Sequence, residues 1–397
     1  MNHRSYAIVT ASYWGFTLTD GALRMLVLLH FHALGYSPVQ LAFLFLLYEF
    51  CGVLTNLLGG WIGSRVGLKT TLFAGLGLQV FALVMLSLVH PAWTAALSVS
   101  YVMVSQALSG IAKDLTKMSS KSAVKLLVTD DSETGGALFR WVSILTGSKN
   151  ALKGVGFFLG GFLLSCFGFV HALWIMAAGL AMVLVAALTF LKQDMGKSKR
   201  KVKFTQLFSK SREINWLSAA RFFLFASRDV WFVVALPVYL TEIFGWGYNG
   251  VGTFMAVWVI GYGLIQASAP KFIRNRDPRR AAVSWAGFLA ILTAMLALAI
   301  QLDFHPMATI LIGLGLFGFA FAINSAVHSY LILSFTDDDQ VALNVGFYYM
   351  ANAWGRLIGT LLSGTMYLLG GLTLCLWTSA AMIAIAAMLS TAFRQRA

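Results

Sequence analysis

The sequence predicts an all-α membrane protein of twelve transmembrane helices in two six-helix pseudo-repeats. Three observations carry that prediction. Of its 397 residues, 59% are hydrophobic and 11% charged, whereas a soluble domain carries about 25% charged residues. Mean hydropathy is +0.78. Roughly a dozen apolar stretches each reach the ~20 residues that a helix needs to cross hydrocarbon. Charged and glycine positions also recur at matching places in the two halves of the chain.

The spans fall at 6–34, 38–63, 70–89, 93–117, 138–166, 170–191, 214–243, 249–272, 281–302, 306–335, 341–368 and 371–392. Breakers separate them on one side: Gly35-Tyr36-Ser37-Pro38, His90-Pro91, Gly168, Gly245-Trp246-Gly247, His305-Pro306 and Gly370-Gly371. We call this the hinge side. It carries no Lys or Arg. The opposite loops hold Arg65 and Lys69, Lys121 and Lys125, the run from Lys192 to Arg212, Arg274, Arg276, Arg279 and Arg280. Arg394 and Arg396 close the chain on this termini side. The positive-inside rule then places both termini and the basic loops in the cytoplasm. The acids Asp337, Asp338 and Asp339 are discordant, but acids weigh little in that rule.

The polar stretch near 192–213 divides the chain into a six-helix bundle at 1–191, a basic linker at 192–213 and a second bundle at 214–397. The linker reads as a solvated segment that fixes topology. Asp20 in span 1 aligns with Asp229 in span 7. Lys153, Gly156 and Gly161 in span 5 align with Arg356, Gly359 and Gly364 in span 11. Such repeats imply alternating access around a midplane site between the halves.

Charge within the membrane is unevenly shared. Spans 3, 6, 9 and 12 have no Asp, Glu, Lys or Arg in their apolar cores. That every-third set is expected at the lipid-facing periphery. Arg24, Lys149, Lys153, Arg228 and Arg356 lie near the midplane. Each costs between ~3 and ~15 kcal/mol there unless it meets water, an acid or an anionic ligand. Several together predict a polar cavity for something negative, and so an anion transporter.

Other classes fit less well. The net charge of +14 belongs to helix ends and helices, so no nucleic-acid partner is read. Cys51, Cys166 and Cys375 lie in apolar stretches without CxxC spacing, so no metal, redox site or cofactor is read. No nucleophile–base pair shares one membrane depth, which argues against an enzyme. A transporter-like membrane sensor would carry a signalling extension, and both tails are short. The first apolar stretch contains Asp20 and Arg24 and lacks a small-residue cleavage site, so it is read as a span, not a leader.

Motifs sharpen the expectation. The loop after span 2 runs Gly60-Trp-Ile-Gly-Ser64-Arg65-Val-Gly67-Leu68-Lys69. It resembles the major facilitator loop signature, with Ser64 in place of Asp and Leu68 in place of Arg, which puts that loop's usual ion pair in doubt. Gln106 and Gly110 in span 4 stand where many proton-coupled members have Arg-x-x-x-Gly. Gly147, Gly156, Gly160 and Gly161 echo the antiporter glycines, with Gly161 where Pro is usual. The resemblance to the major facilitator fold covers the whole chain. Thr19-Asp20-Gly-Ala-Leu-Arg24-Met-Leu, Leu47-Tyr48-Glu49-Phe50, Lys113-Asp114-Leu-Thr-Lys117 and Gly147-Ser-Lys149-Asn150-Ala-Leu-Lys153-Gly154 further resemble the bacterial organoarsenical efflux permeases. That resemblance implies export of 1-arseno-3-phosphoglycerate and arsenate resistance. The functional partner it implies is the glyceraldehyde-3-phosphate dehydrogenase that makes this compound. Another organophosphate, sugar acid or phosphate remains the alternative cargo, and a monomer is expected.

The candidate site follows from spacing. Lys149 and Lys153 are i and i+4 and share a helix face. Arg356 offers an opposing planar fork for phosphate. Arg24 either pairs with Asp20 or meets the ligand. Arg228 and Asp229 are neighbours ~100° apart on a helix, so one is expected to face the ligand and the other a neighbouring helix. Lys113 and Lys117 are expected to draw anions inward, and Lys121 and Lys125 to be solvated. Asp114 is expected to pair with a cation on another helix, and Arg221 to belong to a gate. Asn150, Asn352, Asn324 and His328 are polar candidates that either contact cargo or join helices. Asp20, Glu49 and Asp229 are the proton-coupling candidates, with voltage-driven export the rival to coupling.

Overall fold

The computed structural model describes residues 3–66, 68–90, 92–128, 135–191, 211–273, 277–335 and 341–393. The basic linker (192–210), Arg274, Arg276, Asp337 to Asp339, Arg394 and Arg396 lie outside the described residues. So do the side chains of Gly60 to Leu68, Lys121 and Lys125.

Every described element is helical. Nine described stretches are long and apolar enough to cross a membrane, and two of them are far longer than one crossing: Ser148–Phe190 with 43 residues and Gly346–Ser390 with 45. At 1.5 Å per residue each would reach ~65 Å, about twice the hydrocarbon thickness. Each therefore folds back, and glycine marks the bend. Gly168 (φ 71°) interrupts the first, and Gly371 (φ 62°) the second. These left-handed conformations suit a residue without Cβ. Contacts prove the reversal. Phe169 stacks on His30, Gly156 approaches Leu18, and Gly15 meets Val183. The chain thus rises along span 1 and descends again beside it. Span 1 itself, His3–Ala33, is diluted by Thr17, Thr19, Asp20 and Arg24 and completes twelve.

Two spans expected as single helices are broken. Span 2 is Pro38–Leu44 followed by Leu46–Val66, and span 7 is Arg212–Phe232 followed by Ala235–Glu242. The cause in span 7 is Pro237, whose ring cannot coexist with the carbonyl four residues earlier in a regular helix. The break frees the N–H groups of Val234 and Ala235. Both donate to Ser363 Oγ of span 11, at 3.2 and 3.1 Å. An unmet buried amide would cost about 1–3 kcal/mol. Span 10 opens with a π-helical turn, Thr309–Gly313.

Pseudo-symmetry appears in how glycines let backbones touch. Gly156 packs on Leu18 and Gly21 of span 1, and its counterpart Gly359 packs on Ala226 and Asp229 of span 7. Gly161 meets Tyr248 at the start of span 8, and its counterpart Gly364 meets Pro38 at the start of span 2. Spans 5 and 8, and spans 11 and 2, are therefore equivalent seams between the halves. Small residues allow such close approach in membrane helices.

The cores differ between the two membrane sides. On the hinge side one apolar cluster is continuous across both halves, joining Leu26, Phe31 and Phe157 to Trp231, Phe232 and Phe317. On the termini side the clusters separate. Val9, Leu72 and Leu180 belong to one half, and Ile214, Tyr348 and Phe393 to the other. Span 9 is peripheral, with 28% of its apolar window buried against 83% in span 7. Span 3 departs from the expected peripheral set: 50% of its window is buried, more than the 44%, 39% and 44% of spans 2, 4 and 8, and it packs closely on span 4 through Gly75 and Thr116.

A Cβ at Gly156 would stand 2.5 Å from Leu18 O, and one at Gly359 2.6 Å from Ala226 O. Gly156→Val and Gly359→Val are each expected to destabilise by about 1–3 kcal/mol. Gly179→Ala is expected to be neutral, as nothing lies within 4 Å of its Cβ position. Melting curves of the three purified variants check this.

Candidate functional site

The site is built around Glu49. This carboxylate sits in span 2 one turn beyond the break at Phe45, and only 1% of the residue is exposed. Arg24 Nη2 of span 1 donates to Glu49 Oε1 at 2.6 Å. Arg356 Nη2 of span 11 donates to the same oxygen at 2.6 Å. One guanidinium belongs to each half, so a single carboxylate ties the halves together at mid-depth.

The network continues on both sides. Arg356 Nε reaches Asp229 Oδ2 at 3.3 Å, and Arg228 bonds Asp229 Oδ1 through Nε at 2.7 Å and Nη2 at 2.5 Å. The expected divergence of Arg228 and Asp229 is thus corrected. The Arg side chain is long enough to fold back on its neighbour, while its guanidinium packs over Phe225, Phe232 and Phe321. Asp20 accepts a 2.6 Å hydrogen bond from Tyr48 and does not pair with Arg24. Arg24 lies 5.2 Å from the Phe45 ring centre and 5.4 Å from that of Tyr48. Tyr48 had no sequence signal of its own beyond standing next to Glu49.

Lys113 and Lys153 complete the ring. Lys113 Nζ lies 4.0 Å above the Tyr48 ring centre, and Lys153 Nζ lies 5.8 Å from that of Phe157. Both are close enough to act on Glu49 electrostatically. Both are half-buried, and neither ammonium group has a carboxylate within 4.0 Å among the described residues. Backbone packing holds this geometry. Gly110 seats span 4 on the Tyr48 carbonyl, and Gly21 seats span 1 on the Lys153 carbonyl.

One turn toward the termini side, the remaining candidates do other work. Lys117 donates to Asn56 at 2.8 Å and pairs with Asp114 at 3.5 Å. Asp114 was expected to pair across helices. Its cation is instead on its own helix, three residues away, while Thr55 of span 2 donates to its other oxygen at 2.7 Å. Lys149 is half-buried there as well. Asn150 donates to Gln266 across the halves at 2.9 Å. Arg221 is fully engaged within its own half: Nε donates to Asn352 Oδ1 at 2.9 Å and Nη1 to Ser325 Oγ at 3.0 Å. Asn150 and Asn352 therefore join helices in this structure. Asn324 and His328 are buried inside the second half, His328 against Phe393, and lie outside the ring.

The arrangement has a clear chemical bias. Arg24, Lys113, Lys153, Arg228 and Arg356 face three carboxylates, those of Asp20, Glu49 and Asp229. The cluster has a surplus of positive charge in a low-dielectric setting, where Coulomb attraction for an anion is strong. No group of three His, Cys, Asp or Glu converges for a metal among the described residues. A shallow hollow of about 650 Å³ at the start of span 8, lined by Trp246, Asn249 and Phe254, contains no charged side chain and lies apart from this cluster.

The sequence profile of the Major Facilitator Superfamily matches residues 7–234 and again residues 217–397. No curated protein matches the chain. Among solved structures, the human organic anion transporter MFSD10 is similar over 98% of this chain and 99% of its own, at 17% identity and TM-score 0.70. A bacterial homologue of the iron transporter ferroportin, in an inward-facing state, is similar over 100% of both chains, at 16% identity and TM-score 0.71. A D-xylose–proton symporter is similar over 99% of this chain and 97% of its own, at 14% identity and TM-score 0.75. With two matching halves, twelve spans and equivalent glycine seams, the chain belongs to the major facilitator superfamily.

Proposed function

We propose that this transporter moves an organic anion by alternating access, and that its cargo is 1-arseno-3-phosphoglycerate, exported to confer arsenate resistance. The observation that carries the anion reading is the pair of half-buried lysines, Lys113 and Lys153, facing the shared carboxylate without an ion-pair partner of their own among the described residues. A buried ammonium group without a counter-charge is costly. An anionic cargo supplies that counter-charge.

The cargo assignment rests on the sequence resemblance to the organoarsenical permeases, carried by the segments around Arg24, Glu49, Lys113 and Lys153. Those segments build the ring. The similar structures name an organic anion, iron and xylose as cargo, so the fold does not choose the substrate and site chemistry must. A compound with anionic groups at both ends suits two clamps. Arg24 and Arg356, which converge on Glu49, form one together with Lys113 and Lys153, and Arg228 beside Asp229 is the other. Gripping both ends draws the halves together, and inorganic phosphate, with one anionic group, engages one clamp alone. Lys117 and Lys149 line the approach from the termini side. With the basic loops in the cytoplasm, the continuous core closes the periplasmic face, and the separate cores mark the side that parts. Export of a polyanion is favoured by a negative-inside potential at ~2.3 kcal/mol per charge per 100 mV.

Lys113→Gln and Lys153→Gln are each expected to weaken anion transport by about tenfold or more, as loss of a charge-assisted hydrogen bond costs roughly 1.5–3 kcal/mol. Half-saturation of cargo uptake into inside-out vesicles, with protein amounts matched, measures this. Unchanged transport in both variants would remove the site assignment. In cells, arsenate resistance is expected only when the dehydrogenase is co-expressed. Export of free arsenate from liposomes without any enzyme would overturn the cargo assignment.

A further inference from the structure

We infer that Glu49 is a resident counter-ion that occupies the seat of the cargo's anionic group, and that cargo binds by displacing its carboxylate from between Arg24 and Arg356. The inference rests on the anion-transport reading and names where, and against what, the anion binds.

Three features point to displacement. First, the two guanidinium groups converge on one oxygen, Glu49 Oε1, at 2.6 Å each, while Oε2 has no hydrogen bond among the described residues. A guanidinium prefers to grip an oxyanion through two parallel bonds. The seat is therefore incompletely filled. A phosphate monoester or a well-placed carboxylate has enough oxygens to serve both guanidinium groups and the two ammonium groups. Second, the charge is undermatched. Arg24, Arg356, Lys113 and Lys153 surround one carboxylate. Asp229 takes a share of Arg356, and Asp20, which accepts from the neutral Tyr48, adds its charge beside Lys153, so five cations with Arg228 included meet three carboxylates. A dianion compensates this ring better than Glu49 does. Third, the seat lies across the halves, with spans 1, 2, 4 and 5 on one side and span 11 on the other.

The exchange has a functional consequence. Without Glu49 a carrier returning empty would close its site on Arg24 and two ammonium groups with no carboxylate bonded to them, Arg356 keeping Asp229 alone, and each uncompensated cation is costly at that depth. Glu49 provides the missing charge for the empty return and gives it up when cargo arrives. Removing its charge is then expected to tighten anion binding and slow the empty return together. A merely structural role would weaken both.

The test uses full-length protein, inorganic phosphate and 3-phosphoglycerate as probes, and the variants Glu49→Gln and Glu49→Asp. Thermal stabilisation by inorganic phosphate is expected in E49Q at a concentration at least tenfold lower than in wild type, with E49D between them. In proteoliposomes, E49Q is expected to retain exchange of 3-phosphoglycerate for 3-phosphoglycerate while net efflux falls at least tenfold. Should E49Q not fold, a weaker phosphate response in E49D than in wild type overturns the inference. If wild type carries 3-phosphoglycerate but E49Q responds to phosphate no better, this inference fails and the transport reading stands. A phosphate response confined to E49Q and E49D, with no 3-phosphoglycerate flux in wild type, upholds the seat and counts against the cargo class. Silence of all three proteins toward both anions overturns both readings.

Discussion

A carboxylate held between two guanidinium groups from opposite halves is the constraint on which the rest of this structure depends. Glu49 is bonded to Arg24 and Arg356 at 2.6 Å each. Removing one partner of a buried pair leaves a charge stranded, at about 3–5 kcal/mol. The helices around it are shaped to keep it in place. Gly21, Gly110, Gly156 and Gly359 bring spans 1, 2, 4, 5, 7 and 11 into backbone contact around the cluster. The breaks in spans 2 and 7 both lie about one turn from its charged groups, at Phe45 and at Val233.

Around this tie the two membrane sides have unequal cohesion. The hinge side shares a single apolar core, whereas the termini side has a core for each half. Cross-half contacts there include a hydrogen bond from Asn150 to Gln266 and the Lys117 ammonium group above the Tyr349 ring at 5.0 Å. Membrane helix contacts of this polar kind are worth about 0.6–2 kcal/mol each. The termini side can part at lower cost than the hinge side, where aromatic rings such as Phe157 and Phe232 meet. Alternating access thus has a physical basis in where apolar area is shared and where it is not.

Much of this was legible in the sequence. Hydropathy and the breaker dipeptides placed twelve spans, and the alignment of Gly161 with Gly364 marked two seams that prove equivalent in space. The list of buried cations was readable because Lys and Arg in apolar runs are conspicuous. Their pairing was not readable, because it depends on which helices adjoin. No spacing relates Glu49 to Arg356, which lie 307 residues apart. The reach of side chains was misjudged as well: Arg228 folds back on Asp229, and Asp114 turns to Lys117 on its own helix. Pro237 was a visible breaker inside span 7. Its consequence, two amides handed to Ser363, needed the fold.

The central claim is that the cation ring at Glu49 is the seat of an anionic cargo. The most direct measurement is an experimental structure of the transporter with 3-phosphoglycerate bound. The account predicts phosphate or carboxylate oxygens within hydrogen-bond distance of Arg356 and of Lys113 or Lys153, with Glu49 withdrawn from at least one guanidinium. Ligand bound elsewhere, with both Glu49 ion pairs intact, would contradict it.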